Sequence, residues 1–370
     1  MALLFMDSFD HYATADIEEK WTQLRGPTGG SNTTPVIGSY GRNSTQGLYC
    51  ARASGTNVYT GGGVAITLVP SGSTCIVGMA VKYSAFTNLN VSDSETITYA
   101  SSNWLVRCLN VNALGWFARV NTDGTITVYR GVGGTPVALG TTSLALQAGV
   151  FAYVEIKVVM HPSAGTVNVR INSASGLALT GQNTRGNAGA DAWTNLDVVG
   201  LITTSTTNAM SVALDDLVVM DGSGSYNNAF LGDVTISAVL PNGAGNSSGW
   251  TPSAGSNYQC VDEASPNDDT DYNSTSTLNA KDLYAFPDAP AGADIRAVQI
   301  VSAQRKGAEG PGQIKHVVRS SSTDYDQTAQ GIGGTSYSFL RTVVEADPAT
   351  AAAWSESGFN AAEFGIKKTG

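Results

Sequence analysis

The sequence predicts an all-β protein of two domains, a larger jelly-roll sandwich followed by a smaller β-sandwich-like domain with one short helix. Three observations predict it. Glycine is abundant, 42 of 370 residues, while charged residues make up only 14%. Short β-branched runs alternate with Gly, Asn and Ser turns. No stretch of more than about ten residues keeps a helical apolar period. The length suits two domains, each able to bury its own core.

The N-terminal run Ala2 to Met6 is apolar and leads into Asp-Ser-Phe-Asp-His-Tyr (7–12), the start of an edge strand. Asp16 to Trp21 has room for one helical turn, and Gly26 to Gly47 reads as a surface excursion rich in Gly, Ser, Asn and Thr. Residues 47–52 and Val64 to Val69 read as the first strands of a sheet. Cys75 to Tyr83 is the most continuously apolar segment, which predicts a central strand; Asn103 to Asn112 and Trp116 to Val120 follow. Two hairpins come next. The first turns at Asn121-Thr-Asp-Gly124, an Asp-Gly pair between alternating strands. The second runs from Phe151 to Met160, turns at Pro162 to Gly165 and returns through Ile171. Leu196 to Ile202 and Val212 to Met220 complete roughly ten to thirteen strands, enough for a double-sheet jelly roll.

The stretch Val212 to Asp233 marks the boundary. Its first half is strand-like, and Asp221 through Asn228 is then a run of turn formers before the apolar Phe230 and Leu231. This predicts a first domain over 1–222, a hinge over 223–232 and a second domain over 233–370. In the second domain Val234 to Leu240, Ile295 to Ala303, Ile314 to Ser320 and Tyr337 to Glu345 alternate as half-buried strands. Asp347 to Glu363, with its alanine run 351–353, is the helix candidate.

Charge excludes one class of partner. Residues 1–225 carry 11 Lys+Arg against 14 Asp+Glu, a net of −3, and residues 226–370 carry 9 against 16, a net of −7. With no basic cluster, nucleic acid is not an expected partner, because phosphate binding needs a Lys/Arg stripe. The plain reading of the acidity is solubility. No apolar run approaches the roughly 20 residues of a membrane helix, so no membrane insertion is expected. The N-terminal Met-Ala-Leu-Leu-Phe-Met is too short for a signal peptide and has no basic flank. Cys50, Cys75, Cys108 and Cys260 form no CxxC pair and are expected as reduced, buried thiols of a chain made in a cytosol.

A family resemblance rests on several strings. Phe151-Ala-Tyr-Val-Glu-Ile-Lys-Val, Gly165-Thr-Val-Asn-Val-Arg-Ile-Asn and Asp215-Asp-Leu-Val-Val-Met-Asp resemble the strand series of concanavalin A-like, laminin-G-like jelly rolls. The opening Leu3-Leu-Phe-Met-Asp-Ser-Phe-Asp-His-Tyr and the hinge Ala229-Phe-Leu-Gly-Asp-Val are similar to those of two-domain virion structural proteins of tailed bacteriophages. The texture of the second domain matches too: Trp250-Thr-Pro-Ser-Ala-Gly, Pro266-Asn-Asp-Asp-Thr-Asp-Tyr and Lys281-Asp-Leu-Tyr. The resemblance implies a virion component made in the host cytoplasm, with other virion proteins as partners and a homo-oligomeric state.

Reaction centres find little support. Glycoside hydrolysis needs two carboxylates flanking the scissile bond. Glucanases of this fold carry a Glu-x-Asp-x-x-Glu string that is absent here, and strand 154–159 offers Glu155 alone. Asp16, Glu18 and Glu19 suit the first turn of a helix. Asp215 and Asp216 are adjacent, so a regular strand would face them to opposite sides. His11, His161 and His316 are scattered, and no Gly-x-Ser-x-Gly elbow accompanies them. Gly61-Gly-Gly63 precedes Val-Ala-Ile, not Gly-Lys-Ser/Thr, so it is no phosphate loop. A non-enzymatic protein with no cofactor is expected.

Two weaker candidates remain. Asn267, Asp269, Asp271 and Asn273 alternate like the oxygen ligands of a calcium loop, without its Gly and its closing Glu. Asp269, Asp271 and Asn273 are therefore the candidate metal ligands, with calcium the one conceivable ion. Jelly-roll lectins hold sugars on an aromatic platform beside Asn and Asp. Trp193, in Asp191-Ala-Trp-Thr-Asn195 on a polar loop, is the aromatic expected at the surface, while Trp104 and Trp116 belong to the core. Asp191, Trp193 and Asn195 thus form the candidate site for a host surface glycan, with Tyr40, Tyr59 and Tyr129 as other aromatics. The leading expectation is protein–protein assembly in a phage tail, appendage or capsid surface; lectin-like host recognition is the alternative.

Overall fold

The computed structural model describes residues 2–25, 35–52, 63–87, 89, 103–110, 113–132, 136–186, 191–200, 210–308 and 312–370. Tyr59, the first two residues of the Gly61–Gly63 string and parts of the segments 26–47, 103–112 and 196–202 lie outside these residues. The chain divides into two compact units, 1–9 with 13–236, and 10–12 with 237–370. Residues 223–236, which the sequence reading shares between hinge and second domain, belong to the first unit.

The first unit is a two-sheet sandwich of fifteen strands among the described residues. They are β1 (Leu3–Asp7), β2 (Gln23–Arg25), β3 (Val36–Gly38), β4 (Gly47–Arg52), β5 (Gly63–Thr67), β6 (Thr74–Tyr83), β7 (Trp104–Asn110), β8 (Ala113–Val120), β9 (Thr125–Arg130), β10 (Val137–Ala145), β11 (Ala152–Val159), β12 (Gly165–Ile171), β13 (Ala174–Gln182), β14 (Asn195–Gly200) and β15 (Met210–Met220). Sheet A runs β13-β12-β11-β6-β15-β4-β3, with β1 also paired to β15; sheet B runs β10-β9-β8-β7-β14-β5-β2. The described pairs are antiparallel, so this is the jelly-roll architecture expected of the strand series.

Both expected hairpins form. Gly124 takes φ of 82° at the tip of β8–β9, where its N–H donates to Asn121 O at 3.0 Å, a turn position open to glycine. The β11–β12 hairpin keeps an unbroken register from Val154↔Ile171 to Val159↔Thr166. Alternation decides what each strand buries. Cys75, Val77 and Met79 of β6 share a face with Val158, Ile156 and Val154 of β11, and all six are fully buried. Cys108 of β7, on the other sheet, is fully buried as well. Burying each such aliphatic side chain stabilises the fold by about 1.5–3 kcal/mol.

The outer face of sheet A is occupied by the chain leaving β15. Phe230 lies under the Arg170 guanidinium, 4.6 Å from it, and the Gly232 N–H donates to Glu155 Oε1 at 2.9 Å. Ile236 N–H donates to Asp216 Oδ1 at 2.6 Å. Val234 to Leu240, expected as a strand, forms none, because Ile236 takes a carboxylate partner in place of a neighbouring strand.

The second unit is smaller and also β-built. A six-stranded sheet is ordered Gly243–Ser248, Lys281–Ala285, Glu363–Lys368, Gln313–Ser320 and Thr323–Asp326, with Gln330–Gly331 also paired to Gln313–Ser320. A separate ribbon pairs Val298–Gln304 with Ser338–Val344. Between them sits a core of Val318, Val344, Trp354, Ala362 and Phe364. The helix is confined to Glu356–Asn360, capped by Ser355 Oγ accepting from Gly358 N–H. The expected helix from Asp347 fails for a local reason. Asp347 Oδ1 accepts from Ala349 N–H and its carbonyl from Ala351 N–H, while Ala351 takes φ of 55°, which closes a turn between two short strands.

Candidate functional site

The residues singled out for ligand binding do not form a binding platform. Trp193 is 1% exposed, and its Nε1 donates to Thr74 O at 3.0 Å, so the indole is a packed anchor between sheets and not a surface for a sugar. The polar flanks misled the sequence reading, since Thr194 and Asn195 already enter β14 pairing. Asp191 is held by Arg185 through two hydrogen bonds of 2.8 and 2.7 Å, and Arg185 holds its carboxyl below the usual carboxylate range. Asn195 donates to Thr67 Oγ1 at 2.9 Å.

The calcium-like alternation does not converge on one point. Asp269 accepts from Arg305 and from Tyr337 Oη, Asp271 accepts from Asn267 Nδ2 at 2.8 Å, and Asn273 donates to Asn257 O and Tyr284 Oη. Asp268 has φ of 55°, so the run is a turn and its side chains splay. Among the described residues no group of three or more His, Cys, Asp or Glu is placed to hold a metal ion.

Asp215 and Asp216 overturn the strand-geometry expectation that they face apart. The β15–β6 register shifts between Asp215 and Val218, and Asp216 has φ of 49°, so a bulge turns both carboxylates toward one residue. Arg42 N–H donates to Asp215 Oδ2 at 2.9 Å, and the Arg42 guanidinium meets Asp216, Asp233 and Val234 O. Burial, and then the Asp216 charge, pushes the Asp215 carboxyl up to about 7. With Asp216, Asp233 and Val234 O around its guanidinium and Asp215 on its backbone N–H, Arg42 fastens the exit chain to sheet A.

The histidines are equally committed. His161 Nδ1 accepts from Ala164 N–H at 2.7 Å in its turn. His316 is fully buried, between Ser302 Oγ at 2.9 Å and Thr342 Oγ1 at 2.8 Å. Asp16 accepts from Ala13 N–H at the helix start, as its position implied.

Sequence reading missed two features. One is the outer face of sheet B. Cys108 is fully buried, and alternation puts its neighbours Arg107 and Leu109 on the opposite face of the strand. Register then lays one row across the sheet: Ala65, Asp197, Arg107, Phe117, Tyr129 and Ala138. Arg107 pairs with Asp197 and covers the Trp104 ring at 3.8 Å. Tyr129 stacks on Phe117 with centroids 4.8 Å apart, and Arg119 binds the Tyr129 hydroxyl. Arg107, Arg119 and Tyr129 are 8%, 5% and 6% exposed, and the Nε atoms of Arg107 and Arg119 and Nε1 of Trp104 are buried without a hydrogen-bond partner. Only register between distant strands assembles the row, and no local motif announces it.

The other missed feature is the pair of strands that end the two sheets among the described residues. β10 (Val-Ala-Leu-Gly-Thr-Thr-Ser-Leu-Ala) ends sheet B and β13 (Ala-Ser-Gly-Leu-Ala-Leu-Thr-Gly-Gln) ends sheet A. They lie side by side: Ser143 Oγ donates to Gly176 O at 3.2 Å, and a Cβ on Gly140 would meet Leu179 at 2.9 Å. Neither strand has a charged residue, and most positions on both are exposed. Edge strands are ordinarily blunted by charge or proline; here bulges at Ala138/Gly140 and Val169/Arg170 are what bend the pairing.

Comparison with known proteins identifies no family. No family model matches the chain, and no curated protein matches it. Solved structures do resemble it. A PL-14 alginate lyase from Aplysia kurodai is 11% identical at a TM-score of 0.37, covering 50% of this chain and 86% of its own. Lectin I from Ulex europaeus, solved with a methyl glycoside of α-L-fucose, is 9% identical at 0.37, covering 59% and 97%. The CBM2 module of an evolved Dit from Lactobacillus casei BL23 phage J-1 is 10% identical at 0.35, covering 59% and 95%. What the chain does is therefore argued from its own residues.

Proposed function

We propose that this chain is a non-catalytic structural component of a tailed-bacteriophage particle that works by protein–protein assembly. The observation that carries the reading is the pair of adjacent, uncharged, exposed edges β10 and β13. Backbone donors and acceptors on such edges are available to a neighbour, and Ser, Thr and Ala side chains allow close approach without desolvating charge. The acids a hydrolase would need are instead consumed in fastening Arg42, Gly232 and Ile236. The resemblance of the opening and hinge strings to virion proteins supplies the setting.

Val137→Lys and Ala178→Lys place charge on exposed edge positions without touching the core. Sedimentation of the wild type should show a homo-oligomer that these variants reduce to monomer. Cryo-electron microscopy of purified particles should find density for the chain; its absence from the virion would sink the proposal.

Glycan recognition is the second reading, favoured by the Arg119–Tyr129–Phe117 stack beside Arg107 and Trp104. Aromatic faces with guanidinium donors are groups that hold sugar rings. The burial of the same groups ranks it second. A glycan array with wild type and Tyr129→Ala decides it, and signals equal in both would dismiss this face.

A further inference from the structure

From Phe230 to Ile236 the chain leaving β15 is fastened to sheet A by four side chains. The Arg170 guanidinium lies over the Phe230 ring at 4.6 Å, and Glu155 Oε1 accepts from Gly232 N–H at 2.9 Å. Asp216 Oδ1 accepts from Ile236 N–H at 2.6 Å, and Arg42 holds Asp233, Val234 O and Thr235 Oγ1. None of residues 222–240 is in a strand, and none is fully buried. Upstream, Gly222 and Gly224 take φ of 72° and 76°, a conformation glycine reaches without strain and a place for the chain to pivot. The closed arrangement leaves one group unmet. Glu155 is 1% exposed, yet its Oε2 has no hydrogen-bond partner, a cost that water would relieve. Four carboxylates, Asp215, Asp216, Asp233 and Glu155, surround the crossing with two guanidiniums, Arg42 and Arg170. Tyr153 lies 5.4 Å under Arg42, and Lys157 is the next residue on that face of β11. β6 adds no charge, since Ala80 and Gly78 lie opposite Tyr153 and Glu155.

We propose that residues 230–236 are a strap that lifts off sheet A as a unit while the sheet stays folded, and lifts more readily as pH rises. Burial holds the Glu155 and Asp216 carboxyls above their ordinary range, outweighing the N–H donors and the guanidiniums beside them. Lifting the strap hydrates both acids, so the closed form binds more protons than the open one. Closure is therefore firmest at low pH and weakens as pH rises. Lifting also bares Tyr153, 2% exposed when the strap is closed, between Arg42, Glu155 and Asp216. These are the groups that hold an extended backbone in the closed state, so the strap gates a face able to take a neighbouring chain in the same way.

Residue-resolved hydrogen exchange of the full chain, corrected for intrinsic rates, tests the strap. The N–H groups of Gly232 and Ile236 should exchange together, on the order of a hundredfold faster than those of Ile156 and Val219 in the strands beneath. Low denaturant should change their exchange little, because lifting exposes little surface. Their protection should fall by about tenfold or more between pH 5 and pH 8. Phe230→Ala removes the contact with Arg170 and should speed both by about fivefold, leaving Ile156 unchanged. Glu155→Gln keeps an oxygen for Gly232 and should flatten the pH response. Exchange of Gly232 and Ile236 only in step with Ile156 and Val219, or protection that is constant or rises with pH, would overturn the proposal. Should Glu155→Gln fail to fold, the wild-type profile and Phe230→Ala still decide it.

Discussion

Arg42 and Asp216 are 174 residues apart in the chain and joined by an ion pair whose carboxylate is almost wholly buried. The bulge at Asp216 makes the pair, and the rest of the guanidinium holds Asp233 and Val234 O. Arg42→Ala should leave the Asp216 charge buried and unmatched, destabilising the first unit by about 3–5 kcal/mol. Arg42→Lys should not restore the loss, because one ammonium cannot span the same acceptors. Urea unfolding measures both; a loss below about 1 kcal/mol, the size of a surface pair, would contradict the clamp.

Asp215 should give the first unit an unusual pH dependence. Its folded-state carboxyl is raised to about 7 from an ordinary 3.8, by burial first and the Asp216 charge second. Between those values the folded state holds more protons than the unfolded one. Stability from this group is therefore complete below about pH 4 and is lost as pH rises through 7. Asp215→Asn keeps an uncharged side chain and should flatten that slope. Denaturant midpoints measured from pH 4 to 8 on both proteins check it.

His316 should act in the opposite sense in the second unit. Burial lowers its imidazole to about 4 from 6.5, and its partners Ser302, Thr342 and Gln330 carry no charge to offset protonation. Here the unfolded chain takes up the proton first, so stability present above pH 6.5 is lost as pH falls toward 4. His316→Gln should remove the acid-side loss. Hydrogen exchange resolved by residue separates this slope from that of the first unit.

Trp193→Ala should behave as a core truncation. The indole is 1% exposed and its Nε1 is satisfied by Thr74 O. A loss of about 3–5 kcal/mol is expected, read as a lowered melting temperature. Unchanged stability with altered glycan binding would return this residue to the surface.

Asp282 organises one end of the second unit. Fully buried, it accepts from Gly249 N–H, Trp250 N–H, Asn257 Nδ2 and Tyr284 Oη. Asp282→Ala orphans two backbone donors and should cost about 3 kcal/mol or more. Asp282→Asn keeps one oxygen for them and should lose less. Guanidinium unfolding followed by tryptophan fluorescence compares the three proteins.

What the sequence by itself determined is the material of the fold: strands, hairpins and the helical turn at residues 17–20. The continuous apolar run Cys75–Tyr83, the alternation through Phe151–Ile171 and the Asn121–Gly124 turn are local patterns legible in the sequence. Even the errors there were local, as at Asp347, where a side chain and a left-handed residue close a turn inside an alanine-rich run. Tertiary structure alone decided which residues meet. The convergence of Asp215 and Asp216 on Arg42 needs a bulge that alternation cannot announce, and the burial of Trp193 needs the opposite sheet. The row from Asp197 to Tyr129 and the neighbouring edges β10 and β13 arise from the arrangement of strands far apart in the chain. A strand carries its own period, but its register and its partner come from the packed whole.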